Sequence, residues 1–296
     1  MVTVRFHDDP AAFLTVAQHY LSAAPVAASV VAGQAVALAT EAAAGPLPPT
    51  PWPRWFASVH EDDGAVVGAA MKAKPLDPHW AYVMHMPERG AQLLAQALFA
   101  RGEALSAISG TLPAAQFVAA ELASLSGQRA VTTMRLRLHE LGTLHMPAAA
   151  PGRLRLAGPD DFELVSDWFA RFHDEADHQA GRVGGHGPTL PADQIQMRID
   201  QAGVWLWENE DGLIVHLTGI RPPAFGVARI GPVYTPTPHR GRGYAAATVA
   251  QVSQRAQSAG QRLCLFTDQA NPVSNALYER LGFRAVCETV DLELRP

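Results

Sequence analysis

The apolar positions of this chain change period along its length, and the changes mark out elements. From residue 153 the run RLRLAGPDDFELVSDWFARF alternates briefly, breaks at Gly158 and Pro159, then repeats every three to four residues behind Asp160 and Asp161. That pattern predicts a short strand, a turn and an amphipathic helix with acid at its N-terminus. Residues 205–208, 214–220 and 227–234 follow as strands, parted by NEDG and RPPAFG turns. Ala245, Val249, Val252 and Ala256 recur at helical spacing within 245–259, and 263–267 is a buried strand. Residues 274–281 form a helix closed by Gly282, and 284–294 finish as strand. The order β-α-β-β-β-α-β-α-β describes a mixed α/β domain of roughly 145 residues, an ordinary single-domain size.

The first half of the chain repeats the second faintly. PERGAQLLAQAL at 87–98 matches PHRGRGYAAATVAQV at 238–252, the segment 105–141 parallels the one beginning LCLFTDQANPVSNALYERLGF, and GQRAV at 127–131 aligns with GFRAV at 282–286. Three similar segments in one order at similar separation favour internal duplication over coincidence in an Ala-rich chain. The seam is MPAAAPG at 146–152, which has linker composition. The boundaries expected are therefore 1–147 and 152–296, two copies of one α/β fold.

Composition narrows the function classes. The 296 residues are 48% hydrophobic and 17% charged, which excludes an intrinsically disordered chain. Net charge is −5, with no long Lys/Arg run, so a nucleic-acid partner is not expected. Cys264 and Cys287 are too few for a disulfide scaffold, and the start MVTVRFHDDP lacks the apolar core of a signal peptide. A reduced, cytoplasmic protein is the simplest reading. PVAASVVAGQAVALAT at 25–40 is broken by Gly33 and Gln34 and is shorter than the ~20 residues of a membrane span, so a half-buried helix is expected.

Chemistry concentrates between residues 229 and 283. RIGPVYTPTPHRGRGYAAATV is a strand, a Pro- and Gly-containing loop and a helix start. Backbone N–H groups at a helix N-terminus lack internal partners and carry partial positive charge, so they form an anion site. Gly241 and Gly243 let backbone approach a ligand, and Arg240 and Arg242 add charge. The alternative from this loop alone is an ordinary glycine turn with two solvated arginines. Gly241, Gly243 and Ala246 also spell G-x-G-x-x-A, with Asp268 where a ribose-binding acid would stand. Against a dinucleotide fold, three strands precede the loop, the loop is arginine-rich, and NPVSNALYERLGF has no role there.

The pair VYTPTPHRGRGYA (233–245) and NPVSNALYERLGF (271–283) resembles the acetyl-CoA-binding core of the GCN5-related N-acetyltransferase (GNAT) superfamily. Its loop pattern, R/Q-x-x-G-x-G/A, is met by Arg240, Gly243 and Ala245. The resemblance implies that backbone at Val233, Tyr234 and Thr235 bonds the pantetheine arm, with an N–H near Val233 polarising the thioester carbonyl. It implies that N–H groups of Arg240, Gly241, Arg242, Gly243, Tyr244 and Ala245 bind the pyrophosphate. Asn271 and Ser274 would contact the arm, and the Tyr278 hydroxyl would protonate the departing thiolate. Beside that role stands the plain one, since a tyrosine on an amphipathic helix commonly only packs. The acceptor amine would attack directly, so holding both substrates does much of the work.

The general base is not identified. The strand GVARIGPVY has no carboxylate, a departure from the Glu that many GNAT enzymes carry, which leaves Glu208, His216, Glu175, Asp177 and His178 as candidates. HDEADHQ, with His173, Asp174, Glu175, Asp177 and His178, invites a metal reading, but its histidines miss the i, i+4 spacing of H-E-x-x-H and no metal is expected. That segment and the loop GRVGGHGPTLP at 181–191 are expected to line an acceptor pocket. Trp168, Trp205 and Trp207 either wall it or fill core. In the first copy, PERGAQLLA keeps Arg89 and Gly90 but loses the second glycine, and the later Asn and Tyr are absent. The expectation is an acetyl-CoA-dependent N-acetyltransferase, monomer or homodimer, acting on a primary amine. A non-catalytic acyl-CoA sensor and a protein-interaction scaffold are the other readings.

Overall fold

The computed structural model describes residues 2–50, 52–73, 80–179 and 190–296, without the side chains of His173 and Gln179. The chain divides into two compact units, Met1–Leu138 with Val286–Pro296, and His139–Ala285. The linker-like residues 146–152 therefore lie inside the second unit, and residues 286–296 belong with the first.

In chain order the first unit contains β1 (Thr3–His7), α1 (Pro10–Ala23), α2 (Ser29–Ala44), β2 (Trp55–His60), β3 (Val66–Lys72) and β4 (Trp80–Val83). Next come α3 (Glu88–Ala100), β5 (Ala107–Thr111), α4 (Ala114–Ser126) and β6 (Arg129–Leu141), whose last three residues enter the second unit. Local chemistry sets the helix ends. Asp9 caps α1 by accepting the Ala11 N–H at 2.8 Å, ahead of Pro10, whose missing donor is no loss at a helix start. The Ala-rich segment read as half-buried is α2, which buries Val30, Val31, Ala32, Ala35 and Leu38. Among the described residues no helix is long and apolar enough to cross a membrane.

The second unit contains β7 (Arg153–Leu156), α5 (Phe162–Gln179), α6 (Ala192–Asp200), β8 (Val204–Glu208), β9 (Ile214–Ala224) and β10 (Val227–Tyr234). It continues with α7 (Tyr244–Ser258), β11 (Arg262–Asp268), α8 (Pro272–Leu281) and the start of β12 (Phe283–Arg295). The two units thus repeat one element order, β-α-α-β-β-β-α-β-α-β, which is the structural form of the duplication.

Two details depart from the sequence reading. Helix α6 was not foreseen; it buries only Ile195 and Ile199, too short a stripe to stand out. Strand β9 continues through Pro222 and Pro223 to Ala224, where a turn was expected. Pairing with β8 ends at Gly219, so one edge of β9 is open along the prolines, where a missing N–H costs no ladder bond.

The first unit's strands run in the order β1-β2-β3-β4-β5-β12-β6, and the second unit's run β11-β10-β9-β8-β7. β12 lies antiparallel to β5, Thr289 facing Thr111 and Glu293 facing Ala107. Its Val290, Leu292 and Leu294 join Trp55, Val83, Leu94, Ile108 and Val118 in the first unit's core. In the second unit, α5 and α6 cover one face of the sheet through Val165, Trp168, Phe169, Ile195 and Ile199. Helices α7 and α8 contribute Val249, Ala250, Tyr278 and Leu281 to a separate core with Ile230 and Leu265.

Candidate acyl-carrier site in the second unit

Strands β10 and β11 are parallel neighbours only at their beginnings. Their register runs from Val227 opposite Arg262 to Arg229 opposite Cys264 and goes no further, although both strands continue. On its other side β10 shifts register against β9 between Ile230 and Val233, across Gly231 and Pro232. A Gly-Pro pair inside a strand marks such a bulge. The end of β10 is thereby turned out of the ladder with β11, and its backbone at residues 230–234 is free of that partner.

Past β10 the chain turns over Thr237–His239 into the glycine loop. Gly241 and Gly243 hold φ of +75° and +82°, and a Cβ at either would meet nothing within 4 Å. Both supply left-handed backbone, and no protein atom fills the space beside either. Gly243 is the N-cap of α7, and the first bond into the helix runs from the Ala247 N–H to the Gly243 carbonyl at 3.0 Å. The N–H groups of Tyr244, Ala245 and Ala246 therefore have no helical acceptor and point out of the helix start.

The two arginines of the loop part company. Arg242 is exposed at the rim. Arg240 turns inward: Nε donates to the Thr235 carbonyl at 2.9 Å and the guanidinium pairs with Glu175 of α5. Its N–H also donates to the Thr237 carbonyl at 3.3 Å. Glu175 accepts the Tyr234 hydroxyl as well, at 2.7 Å. Burial and that bond together push the Tyr234 phenol above its ordinary value. Tyr234 stacks edge-on against Trp168, with centroids 5.5 Å apart. Tyr244 is buried beside Trp207, so it offers the site only backbone. Of the tryptophans, Trp168 and Trp207 are core, and Trp205 is half-buried beneath Arg255.

Opposite the loop, Asn271 caps α8 by accepting the Ser274 N–H at 3.1 Å, and the Ser274 hydroxyl donates back to the Asn271 carbonyl at 3.1 Å. Asn275, which the sequence reading passed over, donates from Nδ2 to the carbonyls of Asp268 (3.0 Å) and Asn271 (2.8 Å). It ties the end of β11 to α8. Tyr278 lies one turn on, buried, edge-on to Phe283 at 5.8 Å, and burial pushes its phenol above the ordinary value. It holds its proton at any physiological pH.

Two candidates for the base are committed elsewhere. Both Glu208 oxygens take arginine donors, from Arg153 at 2.8 Å and Arg155 at 3.3 Å. His216 is fully buried between Thr235 (Nδ1, 2.7 Å) and Thr218 (Nε2, 2.8 Å), and burial drives its pKa down to about 3. Glu175 reaches the end of β10 through the Tyr234 hydroxyl. The loop expected to line the acceptor pocket falls, apart from residues 190 and 191, outside the described residues, as does the His173 side chain. Among the described residues no group of three or more His, Cys, Asp or Glu is arranged to hold a metal ion.

The first unit lacks this opening. There β4 and β5 stay paired in parallel from Trp80 opposite Ala107 to Val83 opposite Gly110. A Cβ on Gly110 would lie 2.0 Å from the Val83 carbonyl oxygen, so glycine is what lets the strands close. The matching helix start, α3, carries Glu88 in its first turn, which repels an anion.

Residues 220–291 match the model of the FR47-like protein family. No curated protein matches the chain. Among solved structures, a Drosophila malonogaster protein superposes with a TM-score of 0.66 at 14% identity, covering 99% of this chain and 98% of its own. A GCN5-related N-acetyltransferase from Sphaerobacter thermophilus gives 0.57 at 18% identity, covering 100% and 96%. A tandem GNAT protein from the clavulanic acid biosynthesis pathway gives 0.53 at 15%, covering 99% and 98%. The chain thus has the fold of a tandem GCN5-related N-acetyltransferase protein, its FR47-like segment covering the second unit from residue 220 onward and ending on the β12 residues that belong to the first.

Proposed function

We propose that the second unit transfers an acetyl group from acetyl-CoA to a primary amine, and that the first copy (1–147 in the sequence reading, against a catalytic 152–296) is non-catalytic. The observation that carries this is the parting of β10 from β11 after Arg229 and Cys264, beside a helix start with free N–H groups. An extended pantetheine arm can lie along the edge of Val233, Tyr234 and Thr235 that β11 leaves open, as an added strand would. The pyrophosphate then meets the N–H groups at the start of α7, with Arg242 at the rim. Asn271 and Ser274, already paired to one another, hold the far wall rigid. The closed β4–β5 pair in the first unit is why only one copy is assigned a cofactor. Two cysteines outside any disulfide suit a reducing compartment, and we assign the protein to the cytoplasm.

In the reaction a neutral amine attacks the thioester carbonyl. The C–N bond forms and the C–S bond breaks, the nitrogen gives its extra proton to solvent water, and the departing thiolate takes one from the Tyr278 hydroxyl, which water then restores. A backbone N–H near Val233 stabilises the oxyanion. The sensor reading retains one argument: Glu175, a carboxylate at the end of β10, already accepts from Tyr234 and Arg240 rather than standing open as a base. Release of CoA thiol from acetyl-CoA with a panel of amines separates the two. Amine-dependent release supports the transferase; tight CoA binding without release under any amine supports the sensor; no CoA binding in calorimetry defeats both.

A further inference from the structure

His216 is wholly enclosed in the second unit, yet its ring is fully occupied by polar partners. Nε2 meets the Thr218 hydroxyl at 2.8 Å on its own strand. Nδ1 meets the Thr235 hydroxyl at 2.7 Å, on the first residue past β10. A neutral imidazole has one donor and one acceptor, and two hydroxyls can satisfy both in either tautomer. A buried polar side chain with only apolar work to do would be replaced at a profit by Leu or Met, since its desolvation is merely offset by these bonds.

Thr235 links His216 to the loop. Its side chain is anchored below to His216, and its carbonyl accepts Arg240 Nε above at 2.9 Å. Arg240 in turn is the residue before Gly241, where the backbone turns left-handed toward the start of α7. We infer that His216 is a positioning residue for the cofactor: by holding Thr235 it fixes where the phosphate-binding loop leaves the sheet. This rests on the acetyl-CoA reading of the site. His216 takes no proton from substrate; it acts through Thr235, on binding rather than on chemistry.

Two near-isosteres divide the bonds. The Asn amide reaches the place of Nδ1, so His216→Asn keeps the Thr235 bond and loses Thr218. The Gln amide reaches the place of Nε2, so His216→Gln keeps Thr218 and loses Thr235. Each deletes one buried bond, so a merely structural role gives both the same loss of Tm and the same kinetics. The expected result is a KM for acetyl-CoA about tenfold higher in H216Q, the worth of one buried hydrogen bond, with H216N near wild type and kcat of both little changed. Equal KM values in the two variants, raised or not, overturn the inference. If either His variant fails to fold, Thr235→Val and Thr218→Val make the same comparison: only T235V raises KM, and equal effects refute it. Should wild type bind without turnover, Kd for acetyl-CoA replaces KM throughout. A wild type that neither binds nor turns over acetyl-CoA defeats the reading of the site; an active wild type with indifferent variants defeats only the role of His216.

Discussion

Tyr278→Phe separates packing from chemistry at one atom. The ring stays: it keeps its edge-on contact with Phe283 at 5.8 Å and its place among Leu281, Ile230 and Leu265. Only the hydroxyl is lost, so the stability cost is at most about 1.5 kcal/mol, a few degrees in Tm for a unit of this size. If the hydroxyl delivers the proton to the thiolate, kcat falls by roughly 10²–10⁴, equivalent to about 3–5 kcal/mol in the transition state. The kinetic effect must therefore exceed the thermal one severalfold. Thiol release at saturating acetyl-CoA and amine gives the first number, and calorimetric melting of the same sample gives the second. The pH dependence adds a sign. Burial raises the Tyr278 pKa, so the acid stays protonated past the ordinary tyrosine value of ~10, and wild-type kcat should show no alkaline fall below that pH from this group. A kcat for Y278F within twofold of wild type refutes the assignment. So does a large kcat loss matched by an equally large loss of stability.

Other expectations follow from the same geometry. Gly243→Ala meets no neighbour but must hold φ near +82°, which costs about 1–2 kcal/mol, and calorimetry should show weaker CoA binding. Leu292→Ala removes a nearly buried side chain from β12 and should cost about 2–5 kcal/mol, seen as faster hydrogen exchange at Ile108 and Val83 of the first unit. His216 in the folded state binds its proton only near pH 3, against about 6.5 when unfolded, so the unfolded chain takes up protons first as pH falls. The second unit's stability should be complete above pH 6.5 and decline by up to about 1.4 kcal/mol per pH unit below it, and urea melts of wild type against H216N should converge with acidity. His7, lowered by burial and by His60, drives the first unit the same way.

Local patterns were legible in the sequence and non-local ones were not. Strand β10 and the glycine loop declare themselves through short-range chemistry: alternating apolar positions, a Gly-Pro pair, and Gly243 ahead of a periodic helix. Helix α6 escaped because only Ile195 and Ile199 mark its buried side. The inward turn of Arg240 depends on Glu175, sixty-five residues away in the chain, and no spacing rule connects them. The closure of β4 on β5 rests on Gly110 against Val83, which looks like any glycine until the strands are paired. Strand β12 was read correctly as a strand, but its alternation says only that one face is buried. That it pairs with β5 is a matter of which edge is open, and no run of residues encodes that by itself.

The pairing of β12 with β5 also bears on how the protein is made. Everything else in the first unit has been synthesised by Leu138, yet residues 286–296 emerge only after the whole second unit. At ordinary elongation rates the first unit waits roughly ten to thirty seconds with an open strand edge on β5, a template for aggregation. The half of the protein that is translated first is the half that is finished last, so a nascent chain stalled anywhere in the second unit leaves both halves incomplete.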